Sequence, residues 1–172
     1  MIMVRPEEVG DQQGIETVRA AATATLRQTY RPSQKAIANR ARASGSFKRL
    51  VAVADSRVVG TVQYYIESQA VRIIGLGVRT DYRKKGVARA IIHHLRNIGI
   101  KEKASHVLLH TIKETGNVEV FTRLGFTVVS EQKDELMESD IFENLTEVKL
   151  IIYLPEGNGV KAAEPMHAPD RQ

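Results

Sequence analysis

Cysteine is missing from all 172 residues. That excludes disulfides, thiolate nucleophiles, zinc fingers and iron–sulfur clusters. It also fits a reducing compartment, and a cytoplasmic protein is the expectation. Long apolar runs are missing as well: none approaches the ~18 residues of a membrane helix, so no membrane association is expected. The opening MIMVRPEEVG turns acidic too soon for a signal peptide. There is no Walker A string and no H-x-x-x-H string. His93 and His94 would sit about 100° apart on a helix and cannot converge on one ion, so no metal is expected. Gly75-Leu-Gly77-Val-Arg-Thr80 begins like a dinucleotide fingerprint but has Thr80 where a third small residue belongs. Acidic residues are absent from Thr17 to Ala54, where Arg19, Arg27, Arg31, Lys35, Arg40, Arg42, Lys48 and Arg49 all fall. From Glu131 to Glu147 the balance inverts, with seven carboxylates against Lys133. Charge runs of this kind usually form solvated faces. One Tyr and one Phe interleave the basic run, too few for base stacking, so nucleic acid is not an expected partner.

What is present is one domain's worth of ordinary globular sequence, enough to bury roughly two thirds of the unfolded chain's surface. Apolar periodicity predicts a strand at Met1–Arg5, a helix at Asp11–Tyr30 and a second helix from Pro32 to Ala43. Strands follow at Arg49–Ala54, Val58–Glu67 and Val71–Val78, the first two a hairpin through Asp55-Ser56-Arg57. Val87, Ala88, Ile91, Ile92, Leu95 and Ile98 form one stripe of a helix spanning Lys85–Lys103. A strand at Val107–Thr111, a short helix closed by Gly125, and strands at Phe126–Glu131 and Val148–Leu154 complete the order. The expected class is α/β (α+β), a mixed sheet flanked by helices, with residues 1–154 as the domain. Residues 155–172, rich in Pro, Gly, Ala and charge, read as a disordered tail.

The chemistry concentrates where the third strand of that run meets the long helix. Leu76-Gly77-Val78 ends the strand, Arg79 to Tyr82 turn, and Arg83-Lys84-Lys85-Gly86-Val87-Ala88-Arg89 open the helix. First-turn N–H groups have no partner within a helix and carry the positive end of its dipole. Gly86 lets an anion approach the backbone, small Ala88 is expected to keep the helix close to the strand, and Lys84, Lys85 and Arg89 add charge. The combination reads as a pyrophosphate cradle.

RKKGVA resembles the Q/R-x-x-G-x-G/A acetyl-CoA signature of the GNAT superfamily of N-acetyltransferases. Leu76-Gly77-Val78, Asp81-Tyr82-Arg83 and Phe121-Thr-Arg-Leu-Gly125-Phe126 match that family's spacing, and the element order agrees. The resemblance implies a GNAT-like acyl-CoA acyltransferase fold, a mostly antiparallel sheet with splayed parallel central strands. It implies that the backbone of Leu76, Gly77 and Val78 holds the pantetheine arm of acetyl-CoA, and that Arg83, Lys84, Lys85, Gly86, Val87, Ala88 and Arg89 bind its pyrophosphate. The family often has Asn where Glu114 stands, with Asn117 a substitute. Many members also place a tyrosine, the acid for the leaving thiolate, at the position of Phe121. Phe121 cannot donate a proton but can pack on the arm.

The expected reaction is acetyl transfer from acetyl-CoA to a primary amine by direct attack in a ternary complex, since no cysteine is present to form an acyl-enzyme. The acceptor is a small-molecule or peptide amine; the acidic run suggests a cationic one, and a homodimer is compatible with the sequence. His110 is the candidate base by analogy, with Tyr64, Tyr65 and Glu67 as others and a satisfied core or edge histidine as the plain alternative. Two other readings stay open: a CoA-binding module without catalysis, and an acetyltransferase acting on tRNA- or ribosome-associated amines.

Overall fold

The computed structural model describes residues 1–42 and 45–156. β1 (Met3–Pro6) passes through one 3₁₀ turn, Val9–Asp11, into α1 (Gln12–Arg27). Asp11 fixes that joint: its carboxylate accepts the Glu8 N–H at 2.7 Å and both arms of the Arg5 guanidinium at 2.7 and 3.0 Å. The Arg5 hydrogen bond holds the Asp11 carboxyl below its ordinary pKa. α1 buries Ile15 and Val18, as the spacing predicts, and ends short of Tyr30. Pro32 departs from expectation. It lies in a two-residue strand, β2 (Arg31–Pro32), because its missing N–H and fixed φ suit an edge as well as a first helical turn. α2 (Gln34–Arg42) begins beyond it, with Ser33 Oγ accepting the Ala36 N–H at 3.2 Å as N-cap. The expected end at Ala43 lies outside the described residues.

β3 (Lys48–Ala54) and β4 (Arg57–Glu67) form the predicted hairpin. Its two turn residues, Asp55 and Ser56, both have positive φ, the twist a tight hairpin favours. β5 (Ala70–Val78) follows, then α3 (Val87–Lys101), β6 (His106–Ile112), α4 (Asn117–Arg123) and β7 (Thr127–Lys133). A second two-residue strand, β8 (Met137–Glu138), precedes β9 (Thr146–Tyr153). α3 starts at Val87 rather than Lys85 because Gly86 takes φ +85° and cannot be helical. The tail expected from Pro155 lies, from residue 157 on, outside the described residues.

The seven-stranded sheet runs β1-β3-β4-β5-β6-β9-β7. All its pairs are antiparallel except β5 with β6. That parallel pairing spans only Ala70–Arg72 against His106–Leu108. α3 and α4 cover one face. There Leu50, Val62, Val71, Ile91, Leu95 and Leu150 join the main core, at roughly 2 kcal/mol or more per buried aliphatic side chain. α1 covers part of the other face through Ile15, Val18, Val51 and Val58. The close approach of α3 to the sheet depends on Gly60: a Cβ there would stand 2.6 Å from Val87 Cγ1 and 3.0 Å from Ile91 Cδ1. This corrects the role given to Ala88, which is only half-buried while Val87 makes the contact. Among the described residues no helix is long and apolar enough to cross a membrane.

β2 and β8 pair as a separate antiparallel clasp, Arg31 opposite Glu138 and Pro32 opposite Met137. Ser33 N–H donates to Leu136 O at 2.9 Å, and Ser139 Oγ donates to Thr29 O. Arg31 reaches Glu138 Oε1 at 3.2 Å and Asp140 Oδ2 at 2.8 Å. The basic and acidic runs of the sequence, expected as solvated faces, meet here.

Candidate active site

Beyond Arg72 and Leu108 the two parallel strands part. Leu76, Gly77 and Val78 pair with Val62, Thr61 and Gly60 on the β4 side. Their other backbone edge has no β6 partner. A bulge at Ile74, between Tyr64↔Ile73 and Gln63↔Gly75, turns the strand where the separation begins. Leu76 and Val78 pack toward the main core. Gly77 faces α1, where a Cβ would lie 3.1 Å from Val18 Cγ1 and 3.2 Å from Ala22 Cβ. The cleft is therefore walled by a strand with free N–H and C=O groups, able to hold a linear chain of amides as an added strand would be held.

At the wide end of the cleft sits the cradle. Lys84 takes φ +60° and Gly86 φ +85°. No side chain caps α3, so its first N–H groups are free, and nothing lies within 4 Å of where a Gly86 Cβ would be. The loop is braced from three sides. Tyr82 OH donates to Asp55 Oδ2 at 2.6 Å across the β3–β4 turn, a bond that raises the phenol's pKa. Lys85 Nζ lies 5.1 Å over the Tyr82 ring. Arg83 reaches Val78 O and Thr25 Oγ1 of α1, each at 3.4 Å. Lys84, Lys85 and Arg89 remain exposed at the mouth. An open backbone concavity with spare cations fits a pyrophosphate in shape and sign.

On the far wall, Phe121 of α4 is partly buried and meets Phe126 edge-on at 5.8 Å. Asn117 opens α4, its N–H donating to Thr115 Oγ1 at 3.2 Å. Glu114 has a purely internal role: its carboxylate accepts the Thr146 N–H and hydroxyl, both at 3.0 Å, tying this loop to the start of β9.

Strand alternation separates the titratable candidates. Tyr64 points to the α3 face and is buried there, which raises its pKa, so it does not share a face with His110. Tyr65 lies on the other face, stacked edge-on against Phe47 at 5.7 Å. His110 projects on that same open face, half-buried beside the end of the parallel pairing. Burial lowers its pKa first; Glu147 opposes this, and Arg72 and Lys149 reinforce it. Arg72 NH2 lies 3.4 Å from His110 Nδ1. A guanidinium can only donate, so Nδ1 accepts and the neutral ring carries its proton on Nε2. Glu67 Oε2 stands 3.8 Å from Arg72 NH1. Sequence reasoning passed over Arg72, although it is the single charge in the apolar run AVRIIGLGV. Among the described residues no cluster of His, Asp and Glu could hold a metal ion.

These features define a cleft between parted parallel strands with an open, uncapped helix start at its mouth. Residues 15–126 match the acetyltransferase (GNAT) family. The chain belongs to that family. Solved structures with this fold include the ribosomal-protein-S18-alanine N-acetyltransferase of Escherichia coli, at 12% identity and TM-score 0.66 over 94% of this chain and 100% of that one. Arabidopsis thaliana NAA60 with a bisubstrate analogue gives 20% and 0.67 over 91% and 100%. A Sinorhizobium meliloti phosphinothricin acetyltransferase in complex with AcCoA gives 16% and 0.65 over 96% and 95%. Among curated proteins, none matches the sequence.

Proposed function

We propose that the chain is an acetyl-CoA-dependent N-acetyltransferase acting on a primary amine. The observation that carries this reading is the bare Gly86 cradle opening directly onto the unpaired edge of β5. Pyrophosphate would sit on the N–H groups of Gly86 to Arg89, and the pantetheine arm along Leu76 to Val78 would bring the thioester to the apex beside His110. There the amine nitrogen attacks the carbonyl carbon, a C–N bond forms and the C–S bond breaks. His110 takes the proton the amine gives up, at Nδ1, once Arg72 yields that position. CoA leaves as thiolate and takes its proton from solvent, because Phe121 has none to give. A thiol pKa of about 8.5 makes that departure tolerable. The acetyl donor is thus a co-substrate, and the chemistry asks for no metal.

The same Phe121 supports a second reading, a domain that holds CoA without turning it over. Thiol release with an amine panel separates the two. The experiment for the leading reading is calorimetry with Gly86→Glu, which sets a strained carboxylate before the cradle. Acetyl-CoA affinity is expected to fall at least a hundredfold, and unchanged affinity in a folded variant would refute the site.

A further inference from the structure

We propose that the acceptor is a free α-amino acid, held by its carboxylate on the guanidinium of Arg72. This rests on the acetyl-transfer reading and adds what the acceptor must carry besides an amine. Arg72 is the last residue of β5 before the strands part, so its side chain stands at the apex of the cleft, on the face of His110. The side chain is only 34% exposed. A partly buried guanidinium calls for partners. Among the described residues its one side-chain hydrogen bond is the 3.4 Å contact to His110, and Glu67, itself 61% exposed, stays at 3.8 Å. The planar fork offers five donors shaped for a carboxylate, and most are unused.

At the fork itself the unused donors favour an anion over a cation. Lys149, opposite His110 in β9, adds a second positive charge near the ring; Glu147, held by Gln132 Nε2 at 3.0 Å, is the carboxylate that opposes the two cations there. The acidic run, which the sequence offered as an attractor of cationic acceptors, is largely committed elsewhere. Glu138 and Asp140 bind Arg31, Glu131 binds Lys113, and Asp134 caps the N–H groups of Leu136 and Met137.

Amine and carboxylate of an α-amino acid hang on one carbon, which suits two groups already in contact. The carboxylate takes the fork, and the amine falls beside His110. A carboxylate that draws Arg72 toward itself also frees His110 Nδ1 to accept a proton. Tyr65 pairs with Arg72 across the sheet and Ile74 is 47% exposed just beyond, so an apolar side chain is favoured.

The test is calorimetry on the full-length protein loaded with CoA. The probes are N-acetyl-methionine, N-acetyl-leucine and N-acetyl-phenylalanine, each beside its carboxamide. At least one acid should bind about tenfold or more tighter than its amide, as a charge-assisted bond predicts. In Arg72→Gln that ratio should collapse to near one with CoA affinity unchanged. Equal binding of acid and amide, no binding of any acid, or a ratio that survives Arg72→Gln overturns the proposal. Failure of CoA itself to bind overturns instead the acetyl-transfer reading beneath it.

Discussion

His110 has a ring nitrogen able to take a proton, and Phe121 has none to give. Burial keeps the His110 imidazole below its ordinary pKa, with Arg72 and Lys149 acting in the same direction and Glu147 against. The folded state thus holds fewer protons on this ring than the unfolded state just below pH 6.5, and its contribution to stability falls as pH drops through that window. An NMR titration should place the His110 midpoint below 6.5. Arg72→Gln should move it upward; a midpoint unmoved by that change would show the guanidinium to be remote in solution. Phe121→Tyr would introduce a proton donor on α4. Acetyl-CoA affinity is expected to stay within about threefold and kcat to rise by roughly tenfold, less than the ~10²-fold or more a positioned acid usually supplies, because a thiolate already leaves without one. A large loss of affinity would place Phe121 against the arm in another way. The sequence named His110 only by analogy, since a histidine's face depends on strand register to a single residue. Arg72 was less visible still, because its role comes from a strand reached through a crossover helix.

Among the elements, α1, α3 and the main strands were legible because their apolar spacing is long enough to count. β2 and β8 were not. Two residues carry no period, and Pro32 fits a helix start and a strand edge equally well by its own chemistry. Their trace in the sequence was the pair of opposed charge runs, which become a clasp only when the chain brings Arg31 and Asp140 together. All these charges are solvent-exposed, so salt should weaken them. Arg31→Glu is expected to speed hydrogen exchange at the Ser33 N–H, which donates across the clasp to Leu136 O, while leaving the melting temperature nearly constant. Raised salt should act on the wild type in the same direction. Exchange unaffected by either would mean that the backbone pairing alone holds the clasp.

Across the whole molecule, the order of elements and the glycine turn that opens α3 could be read from sequence, since both are local. The width of the cleft could not, because nothing in Ala70–Val78 or His106–Ile112 states that pairing stops after three residues. That short seam has a mechanical meaning. The strands on its two sides, β1-β3-β4-β5 and β6-β9-β7, are stitched directly by those three pairs, with α3 lying across them. A ligand lodged between the strands replaces missing rungs and works as a strut for the chain that binds it. Acetyl-CoA at a hundred times its Kd should raise unfolding stability by about 2.7 kcal/mol. The added protection against exchange should concentrate on Leu109–Ile112 and Ile73–Val78, where the ladder is interrupted, and leave the β3–β4 hairpin as it was. The substrate would then hold together the two leaves of the sheet that it comes between.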